Sequence, residues 1–215
     1  MTGGLNPLFQ VGLDVRGRRC LVVGGGAEAE DKSGRLVDAG ARLRVVSPEA
    51  TAALRDWHDR GRLELHSRRY RAADLDEVFL VMNTVRSDAA LCDEVWDACR
   101  ERGILVNTYD DPDRSHFGMG ALVAAGPLRI SISTSNASPT LSSRLRQNLE
   151  GLFGQEFAEY LTALGRAREH VRRTVPEFAE RRRILGSLVE GMRVEGAVRL
   201  PGDWREQVRA ILEAE

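Results

Sequence analysis

Three consecutive glycines, Gly24-Gly25-Gly26, stand between a short apolar run, Leu21-Val22-Val23, and a stretch of helix-forming residues from Ala27 to Val37. The apolar run suits a strand buried on both faces and the stretch after it suits a helix, so the chain must turn sharply between them. With no side chains in the way, the backbone amides of such a turn can approach a ligand's phosphates, and the helix N-terminus adds its partial positive charge. Gly24, Gly26 and Ala29 meet the spacing G-x-G-x-x-G/A, the last being the small residue needed where the helix leans on the strand. A bare glycine pattern is a weak signal. Its place at the first strand-to-helix turn of the chain makes a dinucleotide the expected ligand.

The flanking segments repeat that alternation as far as residue 113. Arg19 to Val23 reads as a strand, Ala27 to Ala39 as a helix ended by Gly40, and Arg42 to Ser47 as a second strand. Thr51 to Arg60 reads as a helix, and Leu63 to His66 and Val78 to Asn83 as strands. Asp88 to Arg102 is a helix with Leu91, Val95, Ala98 and Cys99 on one face, stopped by Gly103 before a strand from Ile104 to Asn107. Alternation with short connections predicts an α/β fold: a parallel sheet covered by helices on both faces, with ligands bound beyond the carboxyl ends of the strands.

The glycine turn, Ser47, Asn83-Thr84 and the stretch Asn107 to Asp110 all fall at that carboxyl edge and are expected to line one crevice. The position about 20 residues past the glycines, where such folds place an acid for the ribose, lies at Ser47-Pro48-Glu49. An acid at Glu49 would repel a 2'-phosphate and favour NAD over NADP. Arg42 and Arg44, just upstream, leave NADP open.

Past residue 113 the rhythm changes. Leu128 to Thr134 alternates apolar and polar residues like a strand with one buried face, and Ser138 can cap a helix starting at Pro139 or Thr140. From there to the last residue the pattern is almost only helical, with breaks near Gly151, Pro176 and Pro201-Gly202. The arginine-rich stretches Arg166 to Arg173 and Arg181 to Arg183 read as solvated helix faces.

Residues 1–113 carry 16 basic and 20 acidic side chains and residues 114–215 carry 15 and 12, so neither half offers the strong positive field that nucleic acid or an anionic membrane requires. Cys20, Cys92 and Cys99 are odd in number and lack C-x-x-C spacing, which argues against a disulfide framework or a structural zinc site and for packed thiols in a reducing cytoplasm. Neither an apolar run of membrane-spanning length nor a leader-like start is apparent, so the expectation is a cytoplasmic protein without membrane contact.

Four segments resemble the precorrin-2 dehydrogenase and sirohydrochlorin ferrochelatase family, found alone or as the N-terminal part of siroheme synthases. They are Asn6-Pro-Leu-Phe9 with Leu13 to Gly26; Ala29 and Lys32 with Ala39-Gly-Ala41 and Val45-Val-Ser-Pro-Glu49; Gly103-Ile-Leu-Val-Asn-Thr-Tyr-Asp-Asp-Pro112; and Gly126 to Pro139 with Arg144-Leu-Arg146. Lys32 is the sole lysine of the chain and falls where the family usually has one. The likeness covers residues 6 to 150.

The resemblance implies a Rossmann-type NAD-binding domain (1–113), a small α+β dimerisation and substrate region (114–148) and a helical C-terminal domain (149–215). It implies a homodimer that uses NAD to oxidise precorrin-2, a polycarboxylate tetrapyrrole, to sirohydrochlorin, and some members also insert ferrous iron. The cofactor contacts are then expected at Gly24, Gly25, Gly26, Ala27, Glu28, Ser47, Pro48, Glu49, Thr84 and Asn107. The substrate contacts are expected at Thr134, Ser135, Ser138, Arg144 and Arg146, which offer hydroxyls and cations to carboxylates. Asp110 matches the family's functional aspartate, and a carboxylate there could take a proton as hydride leaves the macrocycle. From the residues alone, Asp110-Asp111 equally build the turn into Pro112, and Thr134 to Arg146 equally form a capped helix with exposed arginines. His116 is the one histidine near the crevice; a lone loop histidine reads first as structural, and no metal ligand set is expected. The chain departs from the family at Asn83-Thr-Val-Arg86, at Gly118 and Gly120, and at Asn136-Ala137. The other reading is a non-catalytic NAD-binding redox sensor whose helical tail acts as effector, although no DNA-reading helix is recognisable.

Overall fold

Five parallel strands carry the glycine turn: β1 (Arg19–Val23), β2 (Arg42–Val46), β3 (Glu64–His66), β4 (Leu80–Asn83) and β5 (Leu105–Thr108). The structure, a computed structural model, describes residues 8–196. The strands lie in the order β3-β2-β1-β4-β5. The chain thus builds outward from β1 on one side, crosses back, and builds outward on the other. That reversal puts a topological switch point at the carboxyl ends of β1 and β4, where open α/β sheets bind ligands.

The sheet is buried on both sides because its strands are apolar on both. Cys20, Val22, Leu43, Val45, Leu80 and Met82 face α1 (Ala27–Asp38) and α2 (Ala52–Asp59), which contribute Ala29 and Leu54 to that core. Leu21, Val23, Val46, Val81 and Val106 face α3 (Ala89–Arg102), which contributes Val95 and Cys99. A parallel sheet covered on each face is the expected α/β arrangement.

Several element ends differ from the expectation for local reasons. Thr51 and Arg60 lie outside α2 as its caps, the Thr51 hydroxyl accepting from Leu54 N at 3.3 Å. The strand expected from Val78 begins at Leu80, because Val78 N closes a turn onto Leu75 O at 3.1 Å. The strand expected over 104–107 runs one residue later, since Ile104 N bonds Cys99 O at 2.9 Å and still belongs to the end of α3.

Two further strands, β6 (Ala121–Ala125) and β7 (Leu128–Ile132), make a separate two-stranded sheet. β7 stops short of the expected Thr134 because Thr134 is taken into a turn, where its carbonyl accepts from Ala137 N at 2.9 Å. Helices α4 (Pro139–Glu150), α5 (Gln155–Thr174) and α6 (Phe178–Ser187) follow, interrupted near Gly151 and Pro176 as expected. The helix does not continue after Ser187: Leu188 to Gly191 is turn, with Gly191 at φ +80°, and 192–196 is irregular. The expected break at Pro201-Gly202 lies outside the described residues.

By its internal contacts the chain divides into two units, one of Met1–Val123 with Ile130–Leu149 and one of Ala124–Arg129 with Glu150–Glu215. The sheet, the glycine turn and all the expected site residues belong to the first. In the second, α5 and α6 pack together, and the Tyr160 hydroxyl donates to Leu188 O at 2.6 Å.

Candidate functional site

The strand register aligns the carboxyl edge. Val23 lies level with Val46 and with Asn83, and Asn83 with Thr108. The residues that follow, Gly24, Ser47, Thr84 and Tyr109, therefore emerge in one row. Gly24 has φ +111°, which a residue with a side chain rarely adopts, and its N–H donates to Val46 O at 3.0 Å. A side chain on Gly24 would meet the Thr84 hydroxyl, and one on Gly25 would meet the backbone carbonyl of Glu49, with Ser47 Oγ at 2.9 Å. Thr84 Oγ1 in turn donates to Val23 O at 2.9 Å, and Thr51 N donates to Gly25 O at 3.0 Å. Gly24 and Gly25 thus let the loops after β2 and β4 close on the turn.

Gly26 differs from both. It is exposed, and nothing lies within 4 Å of where its side chain would stand. It is also the N-cap of α1, with no side-chain acceptor for the first helical N–H groups. The other helices flanking the sheet are capped: α2 by Thr51, and α3 by Asp88, whose carboxylate accepts from Leu91 N at 3.1 Å. An uncapped helix start over an open glycine is a ready anion site, and these residues fit a dinucleotide's pyrophosphate.

The first turn of α1 carries Glu28 and Glu30, whose charge opposes a phosphate. Lys32 offsets this, its ammonium lying 2.6 Å from Glu28 and 3.0 Å from Asp31 with only 14% of its side chain exposed. Ala29 is fully buried where α1 meets the sheet, the role expected of the third small residue.

Ser47 is buried beside Gly25, while Pro48 and Glu49 are exposed at the end of β2. The arginines that left NADP open stand away from that end. Arg42 is level with Arg19 at the opposite edge of the sheet, and Arg44 is bonded to Glu64 at 3.0 Å.

Asp110 follows β5 in the left-handed region, at φ +56°. It carries a side chain where glycine is favoured, a strained arrangement typical of functional positions. Its carboxylate is exposed and pairs with Arg86 at 2.9 Å. Asp111 serves a different purpose: it accepts from Arg114 N at 3.2 Å and from the Arg114 side chain at 2.8 Å, capping the 3-10 turn Pro112–Arg114. The two aspartates therefore separate into an exposed one paired with Arg86 and a turn-building one.

Asn107 is engaged below the edge, its amide donating to Phe117 O at 2.8 Å. His116 is held as part of the scaffold: Nδ1 accepts from Val106 N at 3.2 Å, and the ring stacks on Trp96 with centroids 4.7 Å apart. Asn83, fully buried, accepts from Val85 N at 3.2 Å and donates to Cys92 Sγ at 3.5 Å, so it shapes the loop that carries Thr84 and Arg86. Burial pushes the Cys92 thiol above its ordinary pKa, and as a thiol it donates to Val85 O at 3.0 Å.

The expected substrate residues stand in a loop of their own. Thr134 Oγ1 accepts from Ser138 N at 3.1 Å and from Ser142 Oγ at 3.2 Å while donating to Ser138 O at 3.0 Å. Ser138 Oγ caps α4 by accepting from Leu141 N at 3.1 Å. Both hydroxyls build the loop. Ser135 and Asn136, at φ +52° and +67°, form the centre of a tight turn, and the Ser135 hydroxyl bonds nothing among the described residues. Arg144 is exposed on α4 and Arg146 half-buried. The structure thus gathers Gly24 to Glu28, Ser47 to Glu49 and Thr84 around one turn and places Asp110 on the same edge. Reasoning from sequence placed Arg86 at the rim only as a departure from the family and missed Thr51 as part of that edge; Thr51, a threonine before an apolar helical run, carried the signal of a cap.

Residues 11–121 match a family model described as putative NAD(P)-binding. The siroheme synthase of Methylococcus capsulatus is 35% identical over 208 residues, which is 97% of this chain and 43% of that protein. Siroheme synthase 1 of Yersinia enterocolitica is 35% identical over 185 residues, 86% of this chain and 38% of that protein. The chain spans less than half the length of these relatives. Among solved structures, SirC, a precorrin-2 dehydrogenase, aligns with a TM-score of 0.69 at 25% identity, covering 96% of this chain and 100% of that one.

Proposed function

The chain belongs to the putative NAD(P)-binding family and, within it, groups with precorrin-2 dehydrogenase and siroheme synthases, and on that premise we propose that it oxidises precorrin-2 to sirohydrochlorin with NAD. The observation that carries this reading is the level carboxyl edge, with the uncapped start of α1 over an exposed Gly26 on one side of the switch point and Asp110 just past β5 on the other.

NAD, when bound, supplies the hydride acceptor. The glycine turn and the first N–H groups of α1 hold its pyrophosphate, and Lys32 keeps Glu28 from opposing that charge. Glu49 receives the ribose hydroxyls and disfavours a 2'-phosphate. The macrocycle loses one hydride and one proton, and Asp110 takes the proton as general base. The loop from Thr134 to Ser138 with Arg144 and Arg146 receives the carboxylates of the tetrapyrrole. The same Asp110 would take the pyrrole protons if ferrous iron is inserted, and an assay with sirohydrochlorin and ferrous iron reads that activity separately.

The homodimer and the cytoplasmic location rest on the family and on the three buried free thiols, which suit a reducing compartment. Among the described residues no helix is long and apolar enough to cross a membrane. The redox-sensor reading finds no support among the relatives.

The test is NADH formation by the purified chain given precorrin-2 and NAD. Asp110→Asn is expected to lower kcat by about 100-fold or more, the usual share of a general base, with NAD affinity retained. Folded wild type that forms no NADH, or an Asp110→Asn variant as fast as wild type, overturns the assignment.

A further inference from the structure

Two arginines reach the aspartates that follow β5, and they are held differently. Arg114 is bonded to Asp93 at 2.6 Å and to Asp111 at 2.8 Å, which fixes its guanidinium. Among the described residues Arg86 makes a single ion pair, Nη1 to Asp110 Oδ2 at 2.9 Å, with 70% of its side chain exposed and 58% of its partner's. A guanidinium carries five donors in a planar fork, so most of Arg86's hydrogen-bonding capacity faces solvent at the mouth of the crevice. An ion pair this exposed contributes little to stability and opens readily.

The segment carrying Arg86 is fixed at both ends. Thr84 is tied to Val23 O over the glycine turn, and Asp88 caps α3. Arg86 is therefore a long flexible side chain on a short anchored loop, beside the switch point and next to the carboxylate assigned as base. Asp110, for its part, has a left-handed backbone at φ +56° within the turn that Asp111 N closes onto Thr108 O at 3.2 Å.

We propose that Arg86 docks a carboxylate of the tetrapyrrole, exchanging Asp110 for the substrate as its partner. This rests on the reading of the chain as a precorrin-2 dehydrogenase, whose substrate carries carboxylates around its rim. The exchange has two effects at once. It anchors the macrocycle edge within reach of Asp110 by a fork-to-carboxylate bond, the geometry that suits arginine. It also frees the Asp110 carboxylate to accept a proton just when a substrate is present to give one. A cation already drawn to the base thus becomes a specificity element for acidic substrates.

The experiment uses the full chain with Arg86→Ala, Arg86→Gln and Arg86→Lys. Loss of a charge-assisted hydrogen bond is expected to raise KM for precorrin-2 about tenfold in the Ala and Gln variants. NAD affinity and the thermal midpoint should stay as in wild type, because the pair is exposed. Arg86→Lys, which keeps the charge without the fork, should recover part of the loss. An unchanged KM in Arg86→Ala overturns the proposal, as does a fall in kcat alone, which would make Arg86 only a support for Asp110. If wild type forms no NADH, the functional assignment fails, and titration with sirohydrochlorin then decides the docking role. Equal affinity of wild type and Arg86→Ala for that polycarboxylate overturns it.

Discussion

In the glycine turn the polar groups that matter are left open, whereas in the loop from Thr134 to Ser138 they are engaged with one another. Thr84 closes on Gly24 and the Glu49 backbone on Gly25, while Gly26 stands open at the start of α1, where no side chain caps the first N–H groups. In the second loop the side chains are present, and two of the three expected hydroxyls hold their own turn together. A phosphate site built from backbone is recognisable by what is missing from the sequence. A site built from Ser and Thr is not, because the residues that cap helices and close turns are the same ones that bind carboxylates.

The largest effect should come from the side of the comparison that tolerates no side chain. Gly25→Ala drives a methyl group into the Glu49 backbone, which cannot swing away as a flexible side chain would. Overpacking of this kind costs about 2–3 kcal/mol. We expect it to be expressed as displacement of the turn and a loss of NAD affinity of about 100-fold, read by isothermal titration. Gly26→Ala, with open space at that position, should keep the wild-type thermal midpoint, its methyl group standing only where the pyrophosphate is proposed to bind. If Gly25→Ala is as stable as Gly26→Ala, the division between packed and open glycines is wrong.

Thr134→Val probes the other side. It keeps the shape and removes a hydroxyl that serves three hydrogen bonds, leaving Ser138 N without its acceptor. A lost partner of this sort costs about 1–3 kcal/mol, so the variant should unfold at lower urea concentration. A Thr134→Val protein as stable as wild type but defective in precorrin-2 binding would show that this hydroxyl serves the substrate and not the loop.

The same contrast explains what could be read in advance. β1 has the expected bounds, Arg19–Val23, because a strand buried on both faces is apolar throughout and its glycines stop it at once. β6 escaped notice because Ala121-Leu-Val-Ala-Ala125 has little strand preference of its own and is a strand only through its pairing with β7. From the residues alone the aspartate pair was legible as the turn into Pro112, and only the family resemblance singled out Asp110; that Asp111 is the one that caps the turn was not legible. That division depends on Arg114 capturing Asp111 and Arg86 reaching Asp110 from a loop 24 positions earlier, contacts between side chains that no local pattern encodes.

Ser135 is where the second loop most nearly behaves like the first. Its hydroxyl is the one that the turn does not use, and its backbone is held at φ +52°, a conformation that costs a residue with a side chain about 1–2 kcal/mol. Glycine would relieve that strain, offset in part by the freedom it gains in the unfolded chain, so Ser135→Gly should be more stable by about 0.5–1 kcal/mol. It would also remove the free hydroxyl, and KM for precorrin-2 should rise by about three- to fivefold, the share of one neutral hydrogen bond. Ser135→Ala separates the two effects, since it loses the hydroxyl without gaining the backbone freedom. Stability up and affinity down in Ser135→Gly, with affinity alone down in Ser135→Ala, would make the strain a cost of presenting the serine to substrate. A Ser135→Gly variant that is more stable and binds precorrin-2 as well as wild type would reduce the whole loop to a capped turn.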